Sequence, residues 1–257
     1  RRWVMASGVA VAGSNAMVGL GWVDASKSLY GGPRVIWLSA LVGGFMFGFG
    51  MVLASGCGSK TLVRIGAGNL KSVVVFLVLG LAAYATLRGI TGVVRVNTVD
   101  AVTATASAGQ DLPSLLASLT GWSKATLAWV LAVLAGGACI AWAISKPEGR
   151  SADNLLAGFG IGAVIVGVWW VSGVLGYVAE DPNTLQEAFV ATNSQRMESL
   201  TFVAPIAYTV DWLIFFSDKS KVLTLGIVSC AGVIVGSMLY ALATRSFRWE
   251  GFRDTED

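Results

Sequence analysis

The main pattern in the chain is a series of long apolar runs that contain few charges. They cover residues 3–23, 35–59, 72–87, 125–145, 154–179 and 222–244. Most of them approach the roughly 20 residues that a helix needs to cross the hydrocarbon layer of a membrane. The run 72–87 reaches that length only together with Leu70 and Lys71. The pattern therefore predicts an all-α integral membrane protein with about six transmembrane helices.

Three other segments are too polar or too interrupted to cross. Residues 88–124 are rich in Thr, Ala and Gly, and we expect an outer loop or cap with surface helices. Residues 200–218 are apolar but contain Pro205 and Asp211, which favours a re-entrant half-helix. Asp211 fits a functional charge inside the bundle and a surface carboxylate equally well. Residues 245–257 are predicted to be an inner linker or tail.

Glycines recur within the apolar runs, as in GGFMFGFGM at 43–51 and GFGIGAVIVG at 158–167. Small residues allow membrane helices to approach each other closely. We therefore predict helix packing at Gly43, Gly44, Gly158, Gly160 and Gly162.

Composition agrees with a membrane location. Of the 257 residues, 55% are hydrophobic and 13% are charged, whereas soluble domains carry about a quarter charged residues. The basic residues are scattered among loops and form no stripe, which argues against nucleic acid as a partner. With six crossings, a weak excess of Lys and Arg falls on the side of the N-terminus, which makes that side the inner one.

The chain has three cysteines and no histidine. Without clustered Cys and His side chains a tetrahedral metal site is not expected, and we predict neither a metal nor a cofactor. Cys139 and Cys230 lie inside apolar runs, where a cysteine usually acts as a small hydrophobic residue. Cys57 differs, because it lies between two glycines at the end of the second run.

The segment around this cysteine, GFGMVLASGCGSKTLVRIGAGN at 48–69, indicates a broken helix. Its glycines predict a first break at 56–58 and a second break at GAGN. Between them a half-helix of about two turns begins at Ser59, which we expect to be its N-cap, and Asn69 is the expected N-cap of the following helix. The spacing does not fit a nucleotide-binding P-loop, because Ser59 separates the glycine from the lysine.

The chemistry of this segment favours an anion. A helix N-terminus presents unpaired N–H groups and a partial positive charge. Lys60 and Arg64 lie four residues apart, so they share one face of the half-helix and add positive potential. A thiol at Cys57 can donate a weak hydrogen bond to a soft acceptor. The same residues also fit a plain tight turn, in which Cys57 fills space and the cations are inside-facing charges.

The longer stretch FGFGMVLASGCGSKTLVRIGAGNLKS resembles the signature of the YeeE/YedE family of bacterial membrane proteins, which includes thiosulfate transporters. Similarity is weaker in SADNLLAGFGIGAVIVGVWWVSG and in the tail SFRWEGFRDTED. The resemblance implies two related halves whose broken helices meet near the membrane midplane, and a narrow path along which thiosulfate is hydrogen-bonded by thiols. The motif and the charge pattern together place these residues on the substrate pathway: Gly56, Cys57, Gly58, Lys60, Thr61, Arg64 and Asn69.

The resemblance also implies a function and partners. We expect uptake of thiosulfate or a related small sulfur-containing anion across the bacterial inner membrane by a protein that is not an enzyme. Members of the family carry further cysteine motifs before and after the positions that correspond to this chain. We therefore expect residues 1–257 to be a single transport domain that is truncated at both ends or completed by a second membrane subunit. The other expected partners are the lipid bilayer and a small cytoplasmic sulfur-carrier protein.

Two other functions stay open. Cys57 would carry a persulfide in a membrane sulfurtransferase or sulfur-relay protein, although no histidine is present to act as an acid or base. Alternatively, the chain is a structural subunit of a larger membrane complex, since helix packing explains most of the glycines.

Overall fold

The computed structural model describes residues 1–106, 108–181 and 185–252. Its helices are α1 (Arg2–Gly19), α2 (Trp37–Leu53), α3 (Gly58–Gly66), α4 (Lys71–Arg88), α5 (Ile90–Asn97), α6 (Leu112–Thr120), α7 (Lys124–Leu131), α8 (Gly137–Ile144), α9 (Ala152–Trp170), α10 (Val203–Ile214) and α11 (Leu225–Ala243). The strands are β1 (Arg34–Val35), β2 (Ala104–Thr105), β3 (Tyr177–Val178) and β4 (Ala188–Phe189). A π-helical segment, Ala132–Gly136, joins α7 to α8, and another, Val171–Leu175, extends α9. Of the predicted tail at 245–257, residues 253–257 lie outside the described residues.

Five of the described helical stretches are long and apolar enough to cross a membrane. They are Trp37–Gly66, which combines α2 and α3, and Lys71–Arg88, Lys124–Ile144, Ala152–Leu175 and Leu225–Ala243. The protein is therefore an all-α, multi-pass membrane protein, as predicted. The remaining predicted crossing, residues 3–23, forms α1 but does not meet the same threshold, because Arg2, Ser14 and Asn15 lower its hydropathy.

The chain forms two compact units, and each unit is assembled from two segments. The first unit comprises Arg1–Val35 and Thr105–Leu200, and the second comprises Ile36–Ala104 and Thr201–Asp257. The surface helices α5 and α6 lie within 88–124, where we expected such helices. The single transport domain and the relatedness of two halves stay predictions.

In the first unit α1 packs along α9, and the two helices are parallel. A Cβ atom built on Gly158 would lie 2.6 Å from Met5, and one on Gly162 would lie 2.5 Å from Val9. The contacts therefore advance in the same direction along both helices. The packing prediction is confirmed for these two glycines. It is wrong for Gly160, whose Cβ position has no described atom within 4 Å.

The other side of α1 packs against α7 and α8 in the opposite direction. A Cβ atom on Gly8 would lie 2.8 Å from Cβ of Cys139, whereas one on Gly19 would lie 2.6 Å from the indole of Trp129. The hydroxyl of Ser14 donates a hydrogen bond to the α1 backbone, so this polar group is satisfied within its own helix. Cys139 thus lies at a helix contact, as expected for a cysteine inside an apolar run.

The second unit has a core built by four helices. Leu62 of α3, Phe76 of α4, Ile206 and Val210 of α10, and Cys230 of α11 form one buried cluster. Cys230 is 1% exposed, in agreement with its expected role as a small hydrophobic residue. This core fixes the positions of α3 and α10 against the two longer helices.

Helix α2 has a different environment. None of its residues is buried, and the Cβ positions of Gly43 and Gly44 have no described atom within 4 Å. The packing prediction is therefore wrong for these two glycines, because no described helix lies against that face of α2.

Helix α10 covers only part of α4. It has 12 residues, or about 18 Å of helix, whereas the hydrocarbon layer is about 30 Å thick. A Cβ atom on Gly80 of α4 would lie 2.5 Å from Val210. The segment 200–218 thus contains a packed half-helix, and its re-entrant course stays a prediction.

Candidate anion site

The first break in the Cys57 segment is made by a serine. Helix α2 ends with Ser55 in the left-handed conformation, at φ 54°. The Ser55 N–H donates to the carbonyl of Val52 at 3.3 Å, and the Gly56 N–H donates to the carbonyl of Met51 at 3.1 Å. This pair of bonds is a Schellman ending, which satisfies carbonyls at the helix terminus. The break thus begins one residue before the predicted glycine segment.

Helix α3 starts earlier than predicted. Its N-cap is Cys57, which has an extended backbone, and the Cys57 carbonyl accepts the first helical hydrogen bond from the N–H of Thr61 at 3.1 Å. The prediction of Ser59 as N-cap is therefore wrong, because Gly58 and Ser59 already lie in the first turn. The Ser59 hydroxyl contacts the thiol instead, with Oγ 3.0 Å from Sγ of Cys57. The sulfur is half-buried.

Other predicted side chains reinforce this turn. The buried Thr61 donates its hydroxyl to the Cys57 carbonyl at 3.3 Å. Lys60 reaches back over the turn, and its Nζ lies 2.6 Å from the carbonyl of Ser55. The Lys60 ammonium is thus held at the turn that precedes Cys57 and adds positive potential to this turn. Arg64 follows on the same face one turn later, exposed to the surface.

Asn69 lies at the other end of α3. Gly68, at φ 101°, ends this helix, and the Asn69 N–H donates to the carbonyl of Arg64 at 3.0 Å. The Asn69 side-chain oxygen accepts a hydrogen bond from the N–H of Ser72 at 3.0 Å, so it bonds the first turn of α4 as predicted, although the N-cap residue of α4 is Leu70. The nine residues of α3 separate Asn69 from Cys57 by about 13 Å. Asn69 and the thiol therefore do not share one binding position.

The N-terminus of α3 meets the N-terminus of α10 inside the second unit. A Cβ atom on Gly58 would lie 3.2 Å from Cδ1 of Ile206 and 3.6 Å from Cβ of Phe202, the N-cap residue of α10. The same position is 3.6 Å from Leu79, near the middle of α4. The start of α3 and the start of α10 therefore meet beside the middle of α4, a helix that is long enough to cross a membrane.

The N-terminus of α11 joins the same region. A Cβ atom on Gly226, in its first turn, would lie 2.9 Å from Pro205 in the first turn of α10. The N-cap of α11 is Thr224, whose carbonyl accepts the first helical hydrogen bond from Val228 at 3.0 Å. The N-cap residues of these three helices, Cys57, Phe202 and Thr224, form no side-chain capping hydrogen bond. We call this junction of three helix N-termini, next to Cys57, the N-terminal junction.

The N-terminal junction has the electrostatics of an anion site. The first N–H groups of each helix have no partner in their own helix, and each terminus carries roughly half a positive charge. Lys60 adds a full positive charge at the turn. The Cys57 thiol is a weak donor that suits a soft acceptor. An anion with a polarisable atom would therefore find matching donors here.

Sequence reasoning found only one of the three helix N-termini. It did not identify Phe202 and Thr224 as the starts of two further helices at the same place. Local signals were present, because proline is tolerated in the first turn of a helix but not in its interior, and Thr224 is a good N-cap residue before an apolar run. Their convergence depends on how α10 and α11 pack.

Together these features define a multi-pass helical membrane protein whose half-helices meet at a candidate anion site. The chain belongs to the Sulphur transport family, because residues 1–256 match the model of this family. The resemblance to the YeeE/YedE family is thereby confirmed.

Two relatives of the chain are both thiosulfate transporters named TsuA. The chain is similar to the thiosulfate transporter TsuA of Escherichia coli strain K12, with 27% identity over 234 residues that cover 88% of this chain and 61% of the relative. It is also similar to the thiosulfate transporter TsuA of Spirochaeta thermophila, with 49% identity over 49 residues that cover 19% of this chain and 15% of the relative. The chain thus spans about three fifths of the length of the Escherichia coli relative.

Proposed function

We propose that this chain is the greater part of a carrier that takes up thiosulfate, or a closely related sulfur-containing anion, across the bacterial inner membrane. The observation that carries the proposal is the N-terminal junction, where the starts of α10 and α11 lie next to the start of α3, whose N-cap residue is Cys57. Broken helices whose N-termini point at an anionic substrate are a recurrent design in transporters. Membership in the Sulphur transport family and the names of the two relatives support the same function.

In the proposed binding mode, two kinds of hydrogen-bond donor hold different atoms of the anion. The N–H groups at the starts of α3, α10 and α11 hold the oxygen atoms, and the Lys60 ammonium offsets part of their charge. The Cys57 S–H group donates to the terminal sulfur, which distinguishes thiosulfate from sulfate. Gly56, Gly58 and Thr61 shape the turn, whereas Arg64 and Asn69 line the way toward the other end of α3. The small cytoplasmic sulfur carrier and a second membrane subunit stay predicted partners.

The test is uptake of sulfur-labelled thiosulfate into vesicles that contain the full-length parent protein. Cys57→Ala removes one weak S–H hydrogen bond to a charged ligand, which is worth about 1–1.4 kcal/mol, so uptake at low substrate should fall roughly five- to tenfold. Cys139→Ala is the matched control, since this cysteine lies at the contact with Gly8, and it should leave uptake unchanged. Excess sulfate should compete weakly with the native protein.

Three outcomes would overturn the proposal. Equal uptake in the native protein and in Cys57→Ala would remove the thiol from the pathway. No uptake in a correctly inserted native protein would favour a structural subunit. A stable mass increase on Cys57 after exposure to thiosulfate would favour a sulfurtransferase that carries a persulfide.

A further inference from the structure

An ion pair whose carboxylate is buried lies at the C-terminal end of α10, outside the N-terminal junction. The Nζ of Lys221, in the loop after α10, is 2.6 Å from Oδ2 of Asp211. The Asp211 side chain is only 10% exposed, and its Oδ1 is buried without a hydrogen-bond partner among the described residues. Leaving one oxygen of a buried carboxylate unpaired costs free energy. A buried ionisable group on an apolar helix of a membrane protein is a candidate functional group.

The pair has charged and titratable neighbours on α4 and in the loop after α10, where Lys219 lies two residues before Lys221. Tyr84 and Arg88, in the last two turns of α4, lie within electrostatic range of Lys221. Asp218 in the same loop is exposed and accepts a hydrogen bond from the N–H of Ser220. On the α11 side, Cys230 is a neighbour of α10. In this group of described residues, Asp211 is the one whose carboxylate has a buried, unpaired oxygen.

Helix α10 connects the pair with the N-terminal junction. Its first turn contacts Gly58, and Asp211 follows Ile206 by five residues, which is about 7.5 Å along the helix axis. The N-terminus of a helix favours an anion and its C-terminus favours a cation. In transporters with broken helices, half-helix C-termini and nearby groups often hold the coupling cation. The half-helix α10 therefore presents an anion end and a cation end within a short distance.

We propose that Asp211 is the coupling-cation site of this carrier, and that Lys221 occupies it when no cation is bound. A proton or a sodium ion would take the unpaired oxygen of Asp211 and displace the Lys221 ammonium. Asp211 and Lys221 alone are neutral together, whereas Asp211, Lys221 and the bound cation together carry one net positive charge. This added charge favours entry of an anion at the other end of α10. The inference rests on the proposed thiosulfate transport.

The test is steady-state accumulation of labelled thiosulfate in vesicles that contain the full-length parent protein, with the membrane potential clamped at zero. Three conditions are compared: an inward proton gradient, an inward sodium gradient, and neither. One coupled cation per anion would raise accumulation about tenfold for a tenfold cation gradient. Stimulation by the pH gradient alone identifies the proton, and stimulation by sodium alone identifies the metal ion.

Asp211→Asn should abolish this stimulation while leaving gradient-independent, Cys57-dependent uptake. The matched control is Asp218→Asn, an exposed carboxylate in the same loop, which should keep the full stimulation. In Lys221→Met the competing ammonium is absent, so the cation concentration that gives half-maximal stimulation should fall. A merely structural ion pair would not produce that shift, and this variant keeps the proposal testable if Asp211→Asn does not fold.

The inference is overturned if neither gradient stimulates the native protein, or if Asp211→Asn keeps the stimulation. It is also overturned if Lys221→Met leaves the half-maximal cation concentration unchanged. A native protein that shows Cys57-dependent uptake without any cation effect would contradict only this inference. A native protein without Cys57-dependent uptake in all three conditions would contradict the proposed function itself.

Discussion

At the scale of single residues, the candidate site depends on two backbone conformations. Ser55 and Gly68 both have positive φ angles, and each ends a helix in the Cys57 segment. The Gly68 position is the more restrictive, because a Cβ atom there would lie 2.3 Å from the carbonyl oxygen of Arg248. The segment after α11 lies against this glycine, since the N–H of Glu250 donates to the Gly68 carbonyl at 3.1 Å. Glycine is thus required for its conformation and for its lack of a side chain.

The residue-scale prediction compares Gly121 and Gly68, which both have positive φ angles. Gly121→Ala adds a Cβ in open space at φ 73°, so we expect only the conformational cost of about 1–2 kcal/mol. Gly68→Ala adds the clash with the Arg248 backbone to that cost and should lower the thermal unfolding temperature in detergent clearly more. Equal temperatures for the two variants would contradict the close approach of the 248–250 segment.

At the scale of elements, the helix pairs are specified by a few small residues. Glycines on α9 allow α1 to approach, and Gly66 at the end of α3 allows close contact with α11, where Ser237 donates a hydrogen bond to the Val63 carbonyl. Glycine spacing alone does not reveal which positions are contacts. Gly160 lies between two contact glycines on the same helix and faces away.

The element-scale prediction compares Gly162 of α9, which contacts α1, with Gly160, which does not. Gly162→Ala places a Cβ 2.5 Å from the stiff side chain of Val9 and 3.0 Å from the Ala6 carbonyl oxygen, so overpacking should cost about 1–3 kcal/mol. Gly160→Ala meets no described atom and should be neutral or stabilising by up to about 1 kcal/mol. Thermal unfolding in detergent checks both variants. A Gly162→Ala protein as stable as Gly160→Ala would refute the close packing of α1 on α9.

At the scale of the whole molecule, the number of crossings depends on α1. Without α1, five helical stretches are long and apolar enough to cross a membrane. However, α1 runs parallel to α9 and antiparallel to the continuous helical stretch that contains α7 and α8. These two neighbours of α1, Ala152–Leu175 and Lys124–Ile144, are both long enough to cross. Alternating crossings that begin with α1 would give these same directions within the first unit. We therefore expect α1 to cross in the same direction as α9, which makes six crossings.

The whole-molecule prediction is a sidedness test in a background in which the three native cysteines are changed to Ala. Arg2→Cys precedes the apolar part of α1 and Ser26→Cys follows α1, so a membrane-impermeant maleimide should label them from opposite sides. Glu148→Cys precedes α9 and should be labelled from the same side as Arg2→Cys. All three native side chains are exposed. Labelling of Arg2→Cys and Ser26→Cys from one side would show that α1 does not cross.

Much of the architecture could be predicted because apolar length is a local property of the chain. The runs at 125–145 and 222–244 became a crossing helix each, and the Cys57 segment became a broken helix in which Asn69 bonds the first turn of α4. The errors were also local. Ser59 is a better intrinsic N-cap than cysteine, but the Schellman ending at Ser55 places Cys57 in the cap position.

By itself, the sequence determined that the chain is a multi-pass helical membrane protein with a thiol at a helix break, because hydropathy and glycine act on their neighbours. Only the tertiary structure decided that α10 and α11 begin beside that break, and that Asp211 is buried against Lys221 at the far end of α10. These contacts join residues that are far apart in the chain. Their formation depends on side-chain packing between helices, for which no short stretch of sequence carries the information.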